Sequence, residues 1–195
     1  YNLSGWWHPR DGDIYFYILQ LSDHYELTAV DTRSGQSKVL ANLPVAMGTA
    51  IAEPGPWSDW LVVIYPDGFH GKAVKMDGSA ANDLTFPYAL GETHFSRAHP
   101  DVFTSSYRAT ANGPGSGDVL LRLTPDGHLD PDFAITDRSN TEYRNFSRGG
   151  HAQSSPDETM FARAAGTVQM PDGTTRQVIL PDLLGGGDYV SWQAT

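Results

Sequence analysis

Two series of turn residues recur along this chain with a shared period, and that double repeat limits its fold more than any other feature. In the first, a proline closes a stretch of aromatic and β-branched residues and is usually followed by an acidic residue or glycine. It reads His8-Pro9-Arg10-Asp11-Gly12, Glu53-Pro54-Gly55, His99-Pro100-Asp101 and Ser155-Pro156-Asp157-Glu158, with prolines 45, 46 and 56 residues apart. The second reads Thr32-Arg33-Ser34-Gly35, Met76-Asp77-Gly78, Pro125-Asp126-Gly127 and Met170-Pro171-Asp172-Gly173, with glycines 43, 49 and 46 apart. Between the turns lie short β-branched and aromatic runs, such as 13–19, 60–65 and 176–180, which read as strands. Helical periodicity is hard to find anywhere.

Several strands per unit, repeated every 45 residues or so, are what the blades of a β-propeller require. The expected fold is therefore all-β, with four-stranded antiparallel blades over approximately 4–44, 45–90, 91–145 and 146–184. Residues 188–195, with Asp188 to Trp192, read as the start of a further blade. In each unit the proline turn should join the inner strand to the second, and the Gly turn the third to the outermost. Glycine suits the latter because a tight reversal needs positive φ. A β-sandwich of evenly spaced hairpins is the competing architecture, and the double periodicity favours the propeller.

Two segments carry a family resemblance. Ser155 to Arg163 resembles the opening of TolB-type propeller blades, a Ser-Pro-Asp turn before an apolar strand. Lys75 to Thr85 resembles their closing segment, an Asp-Gly turn, small residues and Leu-Thr. Proteins of that type have more blades than four, so the resemblance implies part of a larger ring, one that other chains could complete. A closed four-bladed ring is the alternative.

Inner strands line the central channel of a propeller, so residues shortly before each proline turn are the first candidates for chemistry. His94 precedes Pro100 by six residues and His151 precedes Pro156 by five. Alternation along a strand puts Glu92 on the face of His94 and Gln153 on that of His151. These groups could hold a divalent metal, or pair a base with its orienting partner. The plainer role is hydrogen bonding between neighbouring inner strands. The crossover from Glu142 to His151 would bring Tyr143, Arg144, Arg148 and His151 towards the channel. With the Gly-Gly-His-Ala-Gln-Ser-Ser-Pro-Asp run, it resembles the histidine-bearing blades of oligogalacturonate lyases. That resemblance implies an enzyme that cleaves a uronate-containing glycan by β-elimination, with a divalent metal (Mn or Ca) held by His94, His151 and Gln153. Catalysis would fall to His151, Tyr143 and Arg148, and Arg144 would bind the substrate. Elimination next to a carboxylate needs a base and a cation for the developing charge, and these residue types supply both. The sequence departs from the family in offering two well-placed histidines and no aromatic residue after His151. Trp57 and Trp60 could stack on a sugar ring or pack between blades. The competing function is a non-catalytic propeller module that binds a protein or glycan.

Charge bears on the partner. The formal net charge is −10, against the basic footprint that nucleic acid requires. Six of the 13 Lys and Arg residues nonetheless fall between Arg97 and Arg148, as an anion-binding patch would need, although scattered solvated arginines explain them more simply. An acidic oligo- or polysaccharide is the expected partner. No apolar run is long enough to span a membrane. There is no cysteine, so disulfides and thiolate metal sites are excluded. The N-terminal residues read as no signal peptide, while the lyase resemblance implies an extracytoplasmic or secreted location. Asn2 and Asn145 head N-glycosylation sequons that matter only in a eukaryotic secretory route. Asp126 to Asp132 places carboxylates in a turn without the full spacing of a calcium loop, and reads as a solvated turn.

Overall fold

The computed structural model describes residues 5–44, 49–52, 54–107, 117–136, 152–154, 161–163, 167–170 and 174–177. Among them all regular structure is strand. Sixteen strands form four antiparallel four-stranded sheets, each a simple meander in chain order. The first sheet holds β1 (Gly5–His8), β2 (Asp11–Gln20), β3 (Tyr25–Asp31) and β4 (Ser37–Leu43). The second holds β5 (Ala50–Ile51), β6 (Trp60–Ile64), β7 (His70–Lys75) and β8 (Ala81–Thr85). The third runs from β9 (Leu90–Phe95) through β10 (Val102–Tyr107) and β11 (Gly117–Leu123) to β12 (Leu129–Ile135). In the fourth are β13 (Ala152–Ser154), β14 (Phe161–Arg163), β15 (Thr167–Gln169) and β16 (Thr175–Gln177). These sheets are the blades of a β-propeller.

The two turn series fall where the repeat places them. Pro9, Pro54 and Pro100 lie between the first and second strands of the first three sheets, and Gly35, Gly78 and Gly127 between the third and fourth, while Pro156 and Gly173 lie outside the described residues. Gly35, Gly78 and Gly127 have φ of 71°, 73° and 83°, as those reversals demand. An aspartate ties several turns together. Asp31 accepts from the backbone N–H groups of Ser34 and Arg33, which hold its carboxyl below the usual carboxylate range. Asp77 is lowered first by the Ser79 hydroxyl and then by the Ser79 N–H.

Packing between sheets follows from strand alternation. All five residues of β6 are buried, as a strand covered on both faces must be. Leu61 and Val63 join Phe16, Ile18, Leu27 and Leu40 in a cluster between the first and second sheets. Trp60, Val62 and Ile64 point the other way, into a cluster with Phe95, Phe103, Val119 and Leu121 of the third. Val102, Leu120 and Phe133 cluster on the opposite face of that third sheet. Trp6 bridges the first two sheets, its Nε1 donating to the Ile51 carbonyl at 3.0 Å.

Candidate functional site: an aromatic cleft at the proline turns

The proline turns of the first three sheets gather at one end of the molecule. Each follows an inner strand, so together they surround a cleft of about 450 Å³ walled by Trp6, Trp7, Pro54, Pro56, Trp57 and Arg97. Pro9 and Phe95 complete the lining. Two of its rings face solvent: Trp7 is 54 % exposed and Trp57 60 %. Exposed indoles are normally mobile, but Trp7 is carried on β1 with its ring against Tyr15 at 5.1 Å, and the loop that carries Trp57 is pinned. Trp57 Nε1 donates to the Arg97 carbonyl at 2.6 Å. Gly55 sits so close to the third sheet that a Cβ there would meet the Ser96 carbonyl oxygen at 2.7 Å and Phe95 Cβ at 2.8 Å. The Ser58 hydroxyl donates to Asp101 Oδ1 at 2.9 Å, while its oxygen accepts from the Trp60 N–H at 3.1 Å. Ser96 Oγ in turn accepts from the backbone of Ala98 and His99 at 3.1 and 2.7 Å. Proline at three positions further restricts the backbone. The cleft is therefore preorganised, apolar in its walls and bordered by one guanidinium.

The expected site residues are distributed differently. His94 lies on inner strand β9 and Gln153 on inner strand β13, as the repeat predicts. Glu92 and His94 share a face, with His94 Nε2 3.3 Å from Glu92 Oε1 and the imidazole mostly buried. Opposite His94 in the register is Thr104, itself buried. Tyr143, Arg144, Arg148 and His151 lie outside the described residues, as does the side chain of Gln153. Around His94 the described residues offer one imidazole and one carboxylate, and among the described residues no group of three or more His, Asp or Glu side chains could hold a metal ion. That pair alone is too small a donor set for a divalent ion, and the other two expected ligands, His151 and the Gln153 side chain, lie outside the described residues.

Trp60 does not reach the cleft. It is 4 % exposed, and its ring lies where a Cβ on Gly127 would be, so it fills the interface between the second and third sheets. The packing role is therefore the one it has, and a sugar-stacking role is removed by burial. Within the arginine-rich stretch, Arg97 borders the cleft, but Arg122 is engaged by Asp130 through Nη2 and Nε at 2.6 and 3.0 Å and covers the Phe133 ring. Asp126 and Asp130 are held by Thr124 and Arg122, which agrees with a plain turn. The sequence pointed to Trp57 but not to Trp6, Trp7, Pro54, Pro56 or Arg97 as its neighbours. The available signal was the presence of Trp close to the proline turn in the first two repeats, before Pro9 in one and after Pro56 in the other.

Comparison with known proteins supports the fold and nothing finer. No protein-family model matches the chain. No curated protein matches it in sequence. Among solved structures it is similar to TolB from Acinetobacter baumannii, with a TM-score of 0.54 and 15 % identity over 88 % of this chain and 41 % of that one. It is also similar to a functionally unknown protein from Desulfotomaculum acetoxidans, with a TM-score of 0.51 and 13 % identity over 91 % and 55 %. The fold is that of a β-propeller. The chain spans about half of the propeller proteins it matches.

Proposed function

We propose that this chain is a non-catalytic propeller module that captures a glycan in the cleft at its proline turns. One observation carries the reading: two indole faces, Trp7 and Trp57, stand exposed in a preformed cleft. Sugar rings present apolar C–H faces that pack on such planes, and fixed platforms reduce the ordering cost of binding. Arg97 beside them would favour an acidic sugar, because a guanidinium pairs well with a carboxylate. Titrating neutral and uronate-containing oligosaccharides against intrinsic tryptophan fluorescence tests this. Trp57→Ala should weaken binding at least about tenfold, roughly the 1.4 kcal/mol that loss of one stacking plane would remove. The far-UV circular dichroism should not change. If no glycan of either class perturbs the fluorescence, the reading is wrong.

A second reading is favoured by the Glu92–His94 pair on the inner strand. In it the chain is part of a polysaccharide lyase, with His151 as base, Tyr143 and Arg148 assisting, and Arg144 binding the substrate carboxylate. His94, His151 and Gln153 would then be the metal ligands. The same oligosaccharides, assayed for the ultraviolet absorbance of an unsaturated uronate with Mn or Ca added, separate the two readings. Product that disappears in His151→Ala supports the lyase. Binding without product leaves the module.

A further inference from the structure

The walls of the proline-turn cleft hold few hydrogen-bonding groups. Pro9, Pro54, Pro56 and Phe95 contribute side chains without a polar atom. Two of the three indoles have their N–H groups committed elsewhere: Trp6 Nε1 donates to the Ile51 carbonyl at 3.0 Å and Trp57 Nε1 to the Arg97 carbonyl at 2.6 Å. An indole N–H lies in the plane of its ring, so the exposed faces of Trp7 and Trp57 offer π surface and no donor. Among the described lining side chains, Arg97 is the one that carries a charge.

These walls come from two sides. Trp6, Trp7 and Pro9 belong to the first sheet and its turn, and Pro54, Pro56 and Trp57 to the turn of the second. A sugar ring entering between them meets apolar surface on both of its faces. A hydroxyl pressed against such a wall gives up its water and finds no partner, a loss of at least about tenfold in affinity. Pyranose rings differ in this respect. With every ring substituent equatorial, as in β-linked glucose and glucuronate, both faces present C–H bonds, and the linked rings form a flat ribbon. The axial oxygen of galactose and galacturonate puts a polar group on one face. Building on the glycan-capture reading above, we infer that the cleft selects all-equatorial, β-linked uronate units of the glucuronate class and rejects the galacto configuration. Arg97 pairs with the ring carboxylate, which is equatorial in both configurations and lies at the edge of the ring. Charge therefore favours uronates as a group, and the apolar walls choose among them. The volume of about 450 Å³ falls within the about 300–1,000 Å³ of small-ligand sites, room for a short oligosaccharide.

Isothermal titration calorimetry of the 195-residue chain tests the inference, using tetrasaccharides of glucose, glucuronate, galactose and galacturonate. Glucuronate should bind at least about tenfold more tightly than galacturonate, and glucose more tightly than galactose by a similar factor. Arg97→Gln keeps the backbone carbonyl that holds Trp57. It should weaken both uronates and leave their affinity ratio unchanged. Equal affinity for the two configurations, or a preference for galacturonate, overturns this inference and leaves the capture reading standing. No binding by any of the four sugars overturns both. A ratio that collapses in Arg97→Gln assigns the preference to charge instead of the walls, and overturns the inference as well.

Discussion

At the scale of single residues, the turns separate two costs that usually arrive together. Gly35 and Gly127 occupy equivalent reversals with φ of 71° and 83°, but nothing lies within 4 Å of a Cβ built on Gly35. A Cβ on Gly127 would meet the Trp60 ring at 2.4 Å. Gly35→Ala should therefore lose only the left-handed penalty, about 1–2 kcal/mol. Gly127→Ala adds overpacking against a buried indole, for a total of about 2–5 kcal/mol. Urea midpoints at constant slope measure both, and equal losses would refute the argument. A second residue sets a pH dependence. Burial, and then the Arg10 charge, hold His8 below the ordinary histidine value, although Asp11 and Asp59 oppose them. Its Nδ1 accepts from the Arg10 N–H at 3.2 Å, a bond that requires the neutral ring. The unfolded chain thus binds the proton more tightly, so this contribution to stability is lost as pH falls through about 6.5 and below. His24 works the other way, because Asp23 and Glu26 raise it. The difference between wild type and His8→Gln isolates the first effect. Relative to wild type, the variant should have a higher melting temperature at about pH 5 than at about pH 8, and a pH-independent difference would contradict this.

At the scale of elements, the strands were legible because their turns were. Proline and Asp-Gly constrain backbone locally, so Pro9, Pro54 and Pro100 could be placed between first and second strands without knowing any tertiary contact. The inner-strand position of His94, and its shared face with Glu92, follow from the same logic and from alternation. What the sequence could not decide was which side of a strand meets which neighbour. Trp57 and Trp60 are three residues apart and chemically identical, yet one is 60 % exposed and the other 4 %. Trp60 belongs to β6, buried on both faces, whereas Trp57 rides on the loop before it. The cleft was illegible for a related reason. Its walls come from three separate turns, and only the rotation between sheets brings Trp7, Pro54 and Arg97 together.

At the scale of the whole molecule, the second sheet decides whether the first three blades behave as one unit. Repeat proteins can unfold piecewise when each unit touches only its neighbours and the interfaces are weak. Here the interfaces are strong and meet in a single strand: β6 sends Leu61 and Val63 into one cluster and Trp60, Val62 and Ile64 into the other. Loosening one cluster must therefore disturb the strand on which the other is built. Leu61→Ala, at a fully buried position between the first and second sheets, should cost about 2–5 kcal/mol. Coupling predicts that the whole transition moves, with tryptophan fluorescence and far-UV circular dichroism still coincident in urea. The probes are well placed to detect a split, because Trp6 and Trp7 report on the first sheet and Trp60 on the interface of the second with the third. If the two signals separate in Leu61→Ala, so that the first sheet melts ahead of the others, the blades are energetically independent and the coupling through β6 does not exist.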